Sequence, residues 1–249
     1  MDGQNIVAGW PLAGVLVLLT AAGALTVWLG RIDGWRPVVT AAVRAVVQLG
    51  AVSLLITAVL ASGWFTGGFV LLMFGIAAYT SASRVARSGW RAALRALPGA
   101  ATSIAAGVGP VLALLLGTGV VAARPVVIIP IAGIFIGGAM MATSIAGRRA
   151  RDELRTRRGE VEAALALGLL TRDAALLITR PTANQALVPV LDQTRTVGLV
   201  TLPGAFVGVL LGGGDPIEAG ITQLVVLVAL LAIEAVAVLV TVEVVARNP

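Results

Sequence analysis

Residues Ala219 to Val245 read AGITQLVVLVALLAIEAVAVLVTVEVV, twenty-seven positions with the Glu234 carboxylate near the middle. A helix rises about 1.5 Å per residue, so roughly 20 apolar residues cross the hydrocarbon layer. This run is long enough to span. Working outward, six more stretches qualify: Ile6 to Leu29, Val38 to Leu60, Trp64 to Ser81, Ala100 to Ala122, Val126 to Ala146, and Leu187 to Leu211. The seven spans take 161 of 249 residues, leaving little for a second domain. The sequence therefore predicts an all-α polytopic membrane protein of about seven transmembrane helices, forming a single domain over residues 1–249.

Composition agrees. The chain is 58% hydrophobic and 12% charged, with mean hydropathy +0.99, whereas soluble chains run near 45–50% apolar and about 25% charged. It has no cysteine, histidine or lysine, so all 18 basic residues are arginine. These absences exclude a disulfide framework, a thiol nucleophile, a Cys/His zinc site, a His- or Cys-held haem and a Ser-His-Asp triad. They also exclude a retinal Schiff base and a Walker A lysine. The acidic leader Met1 to Asn5 is unlike the basic start of a cleaved signal peptide.

Arginine placement predicts the orientation. With the amino terminus outside, fifteen arginines fall on the inner side: Arg31, Arg36, Arg84, Arg87, Arg91, Arg95, Arg148, Arg149, Arg151, Arg155, Arg157, Arg158, Arg172, Arg180 and Arg247. Only Arg124 falls in an outer loop, and Arg44 and Arg195 lie within spans. This asymmetry follows the positive-inside rule and predicts an N-out, C-in protein of the plasma (inner) membrane. The basic surface then faces anionic lipid rather than nucleic acid.

Residues 147–186 form the one large inner segment. Arg148 to Glu160 is polar; Val161 to Ile178 is amphipathic, with Val161, Leu165, Gly168 and Leu169 at helical spacing. Within it stand Glu162, Ala163 and Ala164, then Gly168, Ile178 and Pro181. This pattern resembles the "EAA" signature of ABC-transporter permeases, which has leucine where this chain has Arg180. It encodes two short helices about a glycine turn: Gly168 permits a positive φ, and Pro181 cannot continue the helix run.

Flanking residues extend the resemblance. Arg44 to Leu49, Gly133 to Met140, Glu162 to Gly168, and the string Val197-Gly198-Leu199-Val200-Thr201-Leu202-Pro203-Gly204 are similar to a small permease family. That family includes bacterial iron-export permeases and plant aluminium-tolerance half-transporters. It usually has Met-Met after Leu-Pro-Gly, where this chain has Ala205-Phe206, and Asn where this chain has Gly138. The resemblance implies a non-catalytic transmembrane subunit that binds no cofactor itself. ATP and Mg sit on a separate ATP-binding partner, which docks on the 147–186 coupling segment through Glu162, Ala163, Ala164, Gly168, Ile178 and Pro181. It also implies a second copy of the chain and metal export, with iron as the leading cargo. A sugar nucleotide or other organic solute is the alternative, with Arg44 and Arg195 holding phosphate.

Polar groups inside spans are costly and face a cavity or a protein interior. Arg44 and Gln48 share one helix face, roughly 9 and 15 Å from the inner end of their span. Asp192, Gln193 and Arg195 fall near the inner mouth of span six, and Glu234 about 22 Å from the outer end of the last span. Two arginines and two carboxylates thus gather at one depth. One reading pairs Asp192 with Arg195 and Glu234 with Arg44. The other makes Asp192 and Glu234, from two subunits, an oxygen-rich site for a hard cation. Pro203-Gly204 marks the expected break in span six, with Pro110 and Pro130 as further kinks.

Overall fold

The structure is a computed structural model that describes residues 9–32, 34–60, 63–86 and 89–247. It is all helical apart from turns and one isolated bridge, and it divides into two compact units at Ala61/Ser62. Among the described residues, six helices are long and apolar enough to cross a membrane. The leader Met1 to Asn5 and Arg87 lie outside the described residues.

The first unit is a helix pair, α1 (Trp10–Leu29) and α2 (Trp35–Leu60). They approach at Gly23, where a Cβ would lie 3.7 Å from Val38 Cγ1. Ala24 is the one residue of α1 that is buried, so most of the apolar side chains of α1 lie on its surface.

The second unit carries four long helices: α3 (Gly63–Ala86), α4 (Gly89–Gly117), α5 (Pro125–Thr156) and α10 (Pro216–Arg247). Its core holds Ile104, Phe135 and Ile233, none of them solvent-exposed. Small residues let these helices meet at backbone distance, the packing mode that works where lipid is as apolar as leucine. A Cβ at Gly107 would sit 2.5 Å from the Ile233 carbonyl oxygen, and one at Gly147 would sit 2.6 Å from Val85 Cγ2.

Between α5 and α10 lie short elements: α6 (Arg158–Ala166), α7 (Thr171–Ala183), a 3-10 turn over Asn184–Ala186, α8 (Val188–Thr196) and α9 (Gly204–Leu211). A second apolar cluster, including Ala142, Leu176, Ala186, Val238 and Val242, seats α7 on α5 and α10.

Several boundaries differ from the sequence reading. The sixth stretch, Leu187 to Leu211, is two short helices rather than one span. Gly198 adopts φ +78°, and the Thr196 carbonyl accepts from the N–H groups of Leu199, Val200 and Thr201. Pro203 then enters an extended conformation and opens α9 at Gly204. The intervening backbone makes its own hydrogen bonds, so the helix gains little by closing. α4 starts well before Ala100, and α5 runs past Ala146 through Arg148 to Thr156. α4 continues through Pro98 and Pro110, and α5 through Pro130. α7 extends two residues beyond Pro181 rather than ending there. A proline near a helix end leaves only one nearby carbonyl without its usual donor, a small loss in a terminal turn.

Candidate functional site

The 147–186 segment contains a helix–turn–helix. α6 ends at Ala166, the chain reverses through Gly168 at φ +90°, and α7 starts at Thr171. Left-handed backbone strains any residue with a Cβ, and none of the neighbouring atoms would crowd one here. Conformation, not space, therefore requires this glycine. Ala164 and Ile178 are buried and anchor the two helices, whereas Glu162, Ala163, Gly168 and Pro181 are exposed. Glu162 accepts from Arg158 Nε at 2.8 Å. At the start of α6, Arg157 bonds Glu160 through two nitrogens, at 2.6 and 2.5 Å. That bond holds the Glu160 carboxyl below the usual carboxylate range.

The leucines of α6 and the turn after it face outward. Leu167 is 83% and Leu170 72% exposed, and Leu165 and Leu169 are also exposed. Ala164 supplies the buried side of α6, because its small side chain allows the helix to lie close to its support. The tip of the element is thus an unpartnered apolar surface fringed by arginine.

Sequence reasoning missed how this element is tied to the membrane helices. Arg172 at the start of α7 donates through Nε and a terminal nitrogen to both Glu243 oxygens on α10, at 2.5 and 2.9 Å. Arg247 also donates to Glu243, at 3.0 Å. This fork geometry fixes direction as well as distance. A second carboxylate near the C-terminal end of the mainly apolar run 219–245 was the available signal.

The intramembrane candidates divide. Arg44 and Gln48 are exposed on one face of α2 in the first unit. In the second unit Asp192, Gln193 and Arg195 are exposed on α8, with Asp192 and Arg195 paired at 3.7 Å. Exposed pairs of this kind contribute little to stability. Glu234 is different. It is 7% exposed, and within its unit it has no ion-pair partner among the described residues; Arg44, its expected partner, belongs to the other unit. Its carboxylate packs against Gly138, where a Cβ would lie 2.7 Å from Oε1 and 2.7 Å from Leu230 Cδ2. The glycine that stands where the resembling family has Asn therefore makes room for this acid. Among the described residues, no group of three or more metal-ligating side chains comes together. Downstream of the Pro203-Gly204 break, the Phe206 N–H donates to buried Gln223 of α10 at 3.3 Å, fastening α9.

Comparison with known proteins places the chain. A family model described as "Uncharacterised protein family (UPF0014)" matches residues 10–248. The chain is 35% identical over 224 residues to the UPF0014 membrane protein STAR2 of Oryza sativa subsp. japonica, covering 87% of this chain and 76% of that protein. It is 38% identical over 166 residues to Protein ALUMINUM SENSITIVE 3 of Arabidopsis thaliana, covering 67% of this chain and 59% of that protein. It is 33% identical over 129 residues to the probable iron export permease protein FetB of Escherichia coli, covering 52% of this chain and 50% of that protein. No solved structure matches the chain. With nearly its whole length inside the family model, the protein belongs to the UPF0014 family of membrane proteins.

Proposed function

We propose that this chain is the transmembrane permease subunit of an ABC transporter, a single permease domain in the inner membrane, paired with a second copy of itself. A separate ATP-binding subunit drives it, and its cargo is a metal ion, iron first. The observation that carries this reading is the α6–Gly168–α7 element. It offers an exposed apolar tip to a soluble partner and is bonded through Arg172 and Glu243 to α10, one of the two longest helices. Docking energy at Leu167 and Leu170 comes from burial of apolar area. A push on α7 then reaches α10 through a bidentate ion pair rather than a compliant surface. The arginines that line the bundle end near this element support a cytoplasmic position for that end. The name of the Escherichia coli relative, a probable iron export permease, supports export of iron, and Asp192 and Glu234 supply hard oxygen ligands of the right class.

Reconstitution of the chain with its ATP-binding subunit in proteoliposomes tests this. ATPase activity is expected to rise with Fe(II) or Fe(III), and Glu243→Gln is expected to leave basal ATPase intact while abolishing the iron response. A rise with UDP-sugars and none with Fe(II), Fe(III) or Al(III) would overturn the metal assignment. Failure of any ATP-binding subunit to associate with the wild-type chain would overturn the transporter assignment.

A further inference from the structure

A cavity of about 490 Å³ opens at one end of the second unit, between α3, α4, α5 and α10. Its walls are mainly alanine and valine. Two guanidinium groups line it, Arg95 of α4 and Arg151 of α5, both exposed and neither in an ion pair among the described residues. Three hydroxyls line it as well, Ser103, Thr143 and Thr241.

The register of the helices arranges these groups in two tiers. Ser103 is eight residues from Arg95 along α4, and Thr143 is eight residues from Arg151 along α5. Eight residues are about 12 Å, just over two turns, so arginine and hydroxyl fall near the same helix face. The antiparallel helices thus carry an arginine tier at the mouth and a hydroxyl tier within.

The hydroxyls are not equivalent. Ser103 donates to the Gly99 carbonyl at 2.9 Å and Thr241 to the Ala237 carbonyl at 2.6 Å, so both protons are committed. Thr143 is 1% exposed, yet its hydroxyl has no hydrogen-bond partner. A buried hydroxyl left without a partner carries a desolvation cost that neighbouring protein groups normally offset. Thr143 is instead one of the cavity-lining residues, and its hydroxyl proton is not committed to the protein.

No acidic side chain is among the residues that line the cavity. Two positive charges against apolar walls focus an attractive potential for anions. Guanidinium groups recognise tetrahedral oxyanions through paired N–H donors, and basic pockets between transmembrane helices suit anionic headgroups.

We propose that this cavity binds a phosphoryl group, held by Arg95 and Arg151 at the mouth and by the Thr143 hydroxyl within. The carrier is a lipid headgroup or a soluble organic phosphate, and the chemistry is the same for both. The site is independent of the transport reading, since it needs neither the ATP-binding subunit nor a metal.

Two arms separate the sources. The purified chain is titrated calorimetrically with glycerol 3-phosphate, and nanodiscs holding phosphatidic acid or phosphatidylcholine are scored by native mass spectrometry for retained lipid. Binding of glycerol 3-phosphate supports a soluble source; selective retention of phosphatidic acid alone supports lipid. In either arm Arg95→Gln and Arg151→Gln are each expected to weaken binding roughly tenfold or more. Thr143→Val should weaken it roughly fivefold, and Thr143→Ser should restore it. If neither probe binds, or binding persists unchanged in the Arg95→Gln/Arg151→Gln double variant with wild-type melting behaviour, the proposal is overturned.

Discussion

The second unit uses glycine in two opposite ways. In the α4–α5–α10 centre, Gly107, Gly138 and Gly147 have ordinary helical backbone, and each would push a Cβ into a neighbouring helix at 2.5–2.7 Å. In the short-helix region, Gly168 and Gly198 have left-handed backbone and open space where a Cβ would go. Space is the constraint in the first region and conformation in the second. The centre behaves as one packed object in which an extra methyl must displace a helix. The short-helix region is a chain of local decisions, each made by a turn.

The largest effect belongs to the centre. Gly107→Leu places its side chain against the Ile233 carbonyl, an atom of the α10 backbone that no rotamer change can move. A loss of about 3 kcal/mol or more is expected, read as a lower unfolding temperature or loss of monodisperse protein in detergent. A variant that melts like wild type would show that α4 and α10 are not in backbone contact.

Gly138→Ala should be milder, because the clashing atoms are side-chain ends, Glu234 Oε1 and Leu230 Cδ2. We expect about 1–2 kcal/mol of destabilisation. Adding Glu234→Ala should recover part of it, giving a coupling energy of about 0.5 kcal/mol or more in a double-mutant cycle. Strict additivity of the two changes would separate Gly138 from the acid and weaken the contrast between the regions.

The same contrast explains what the sequence reveals. Long apolar runs and the arginine asymmetry are one-dimensional signals, so the long helices and the helix–turn–helix at Gly168 were legible. The break at Pro203-Gly204 was legible too; its reach back to Val197 was not, because mean hydropathy does not register Gly198 at positive φ or a loop that closes its own hydrogen bonds. Nor was the face of α6: spacing of Leu165 and Leu169 identifies an apolar stripe without saying whether protein or solvent meets it. The cavity groups sit where loops and spans were expected to meet. Only the helical continuation of α4 before Ala100 and of α5 beyond Ala146 puts Arg95 in register with Ser103 and Arg151 with Thr143.

Substitutions at the turns should act locally. Gly168→Ala forces a Cβ into left-handed backbone at about 1 kcal/mol. Faster hydrogen exchange is expected in α6 and the start of α7, with α4 and α10 unchanged. Gly198→Val should be worse by a similar margin, since a β-branched residue tolerates positive φ least, and its exchange effect should stop at Thr196 and Pro203. Spread of either effect into α10 would mean that the short-helix region is not locally determined.

The smallest effect is electrostatic. Arg157 holds the Glu160 carboxyl below its ordinary value by hydrogen bonding to the charged form. A carboxylate whose folded pKa is depressed contributes above its unfolded value, about 4.3, and that contribution disappears as pH falls through the lower folded value. Acidification below about pH 4 should therefore loosen the first turn of α6, where Glu160 also faces the positive end of the helix dipole. Hydrogen exchange corrected for intrinsic rate should show this loosening in the wild type and not in Glu160→Gln. Because the pair is exposed and screened by solvent, the change should stay within α6. The α4–α10 contact at Gly107 is glycine against the Ile233 backbone carbonyl, so its exchange should change less than that of α6 across the same range. If the centre loosened first on acidification, charge rather than close packing would be governing it, and the assignment of the two glycine roles would be reversed.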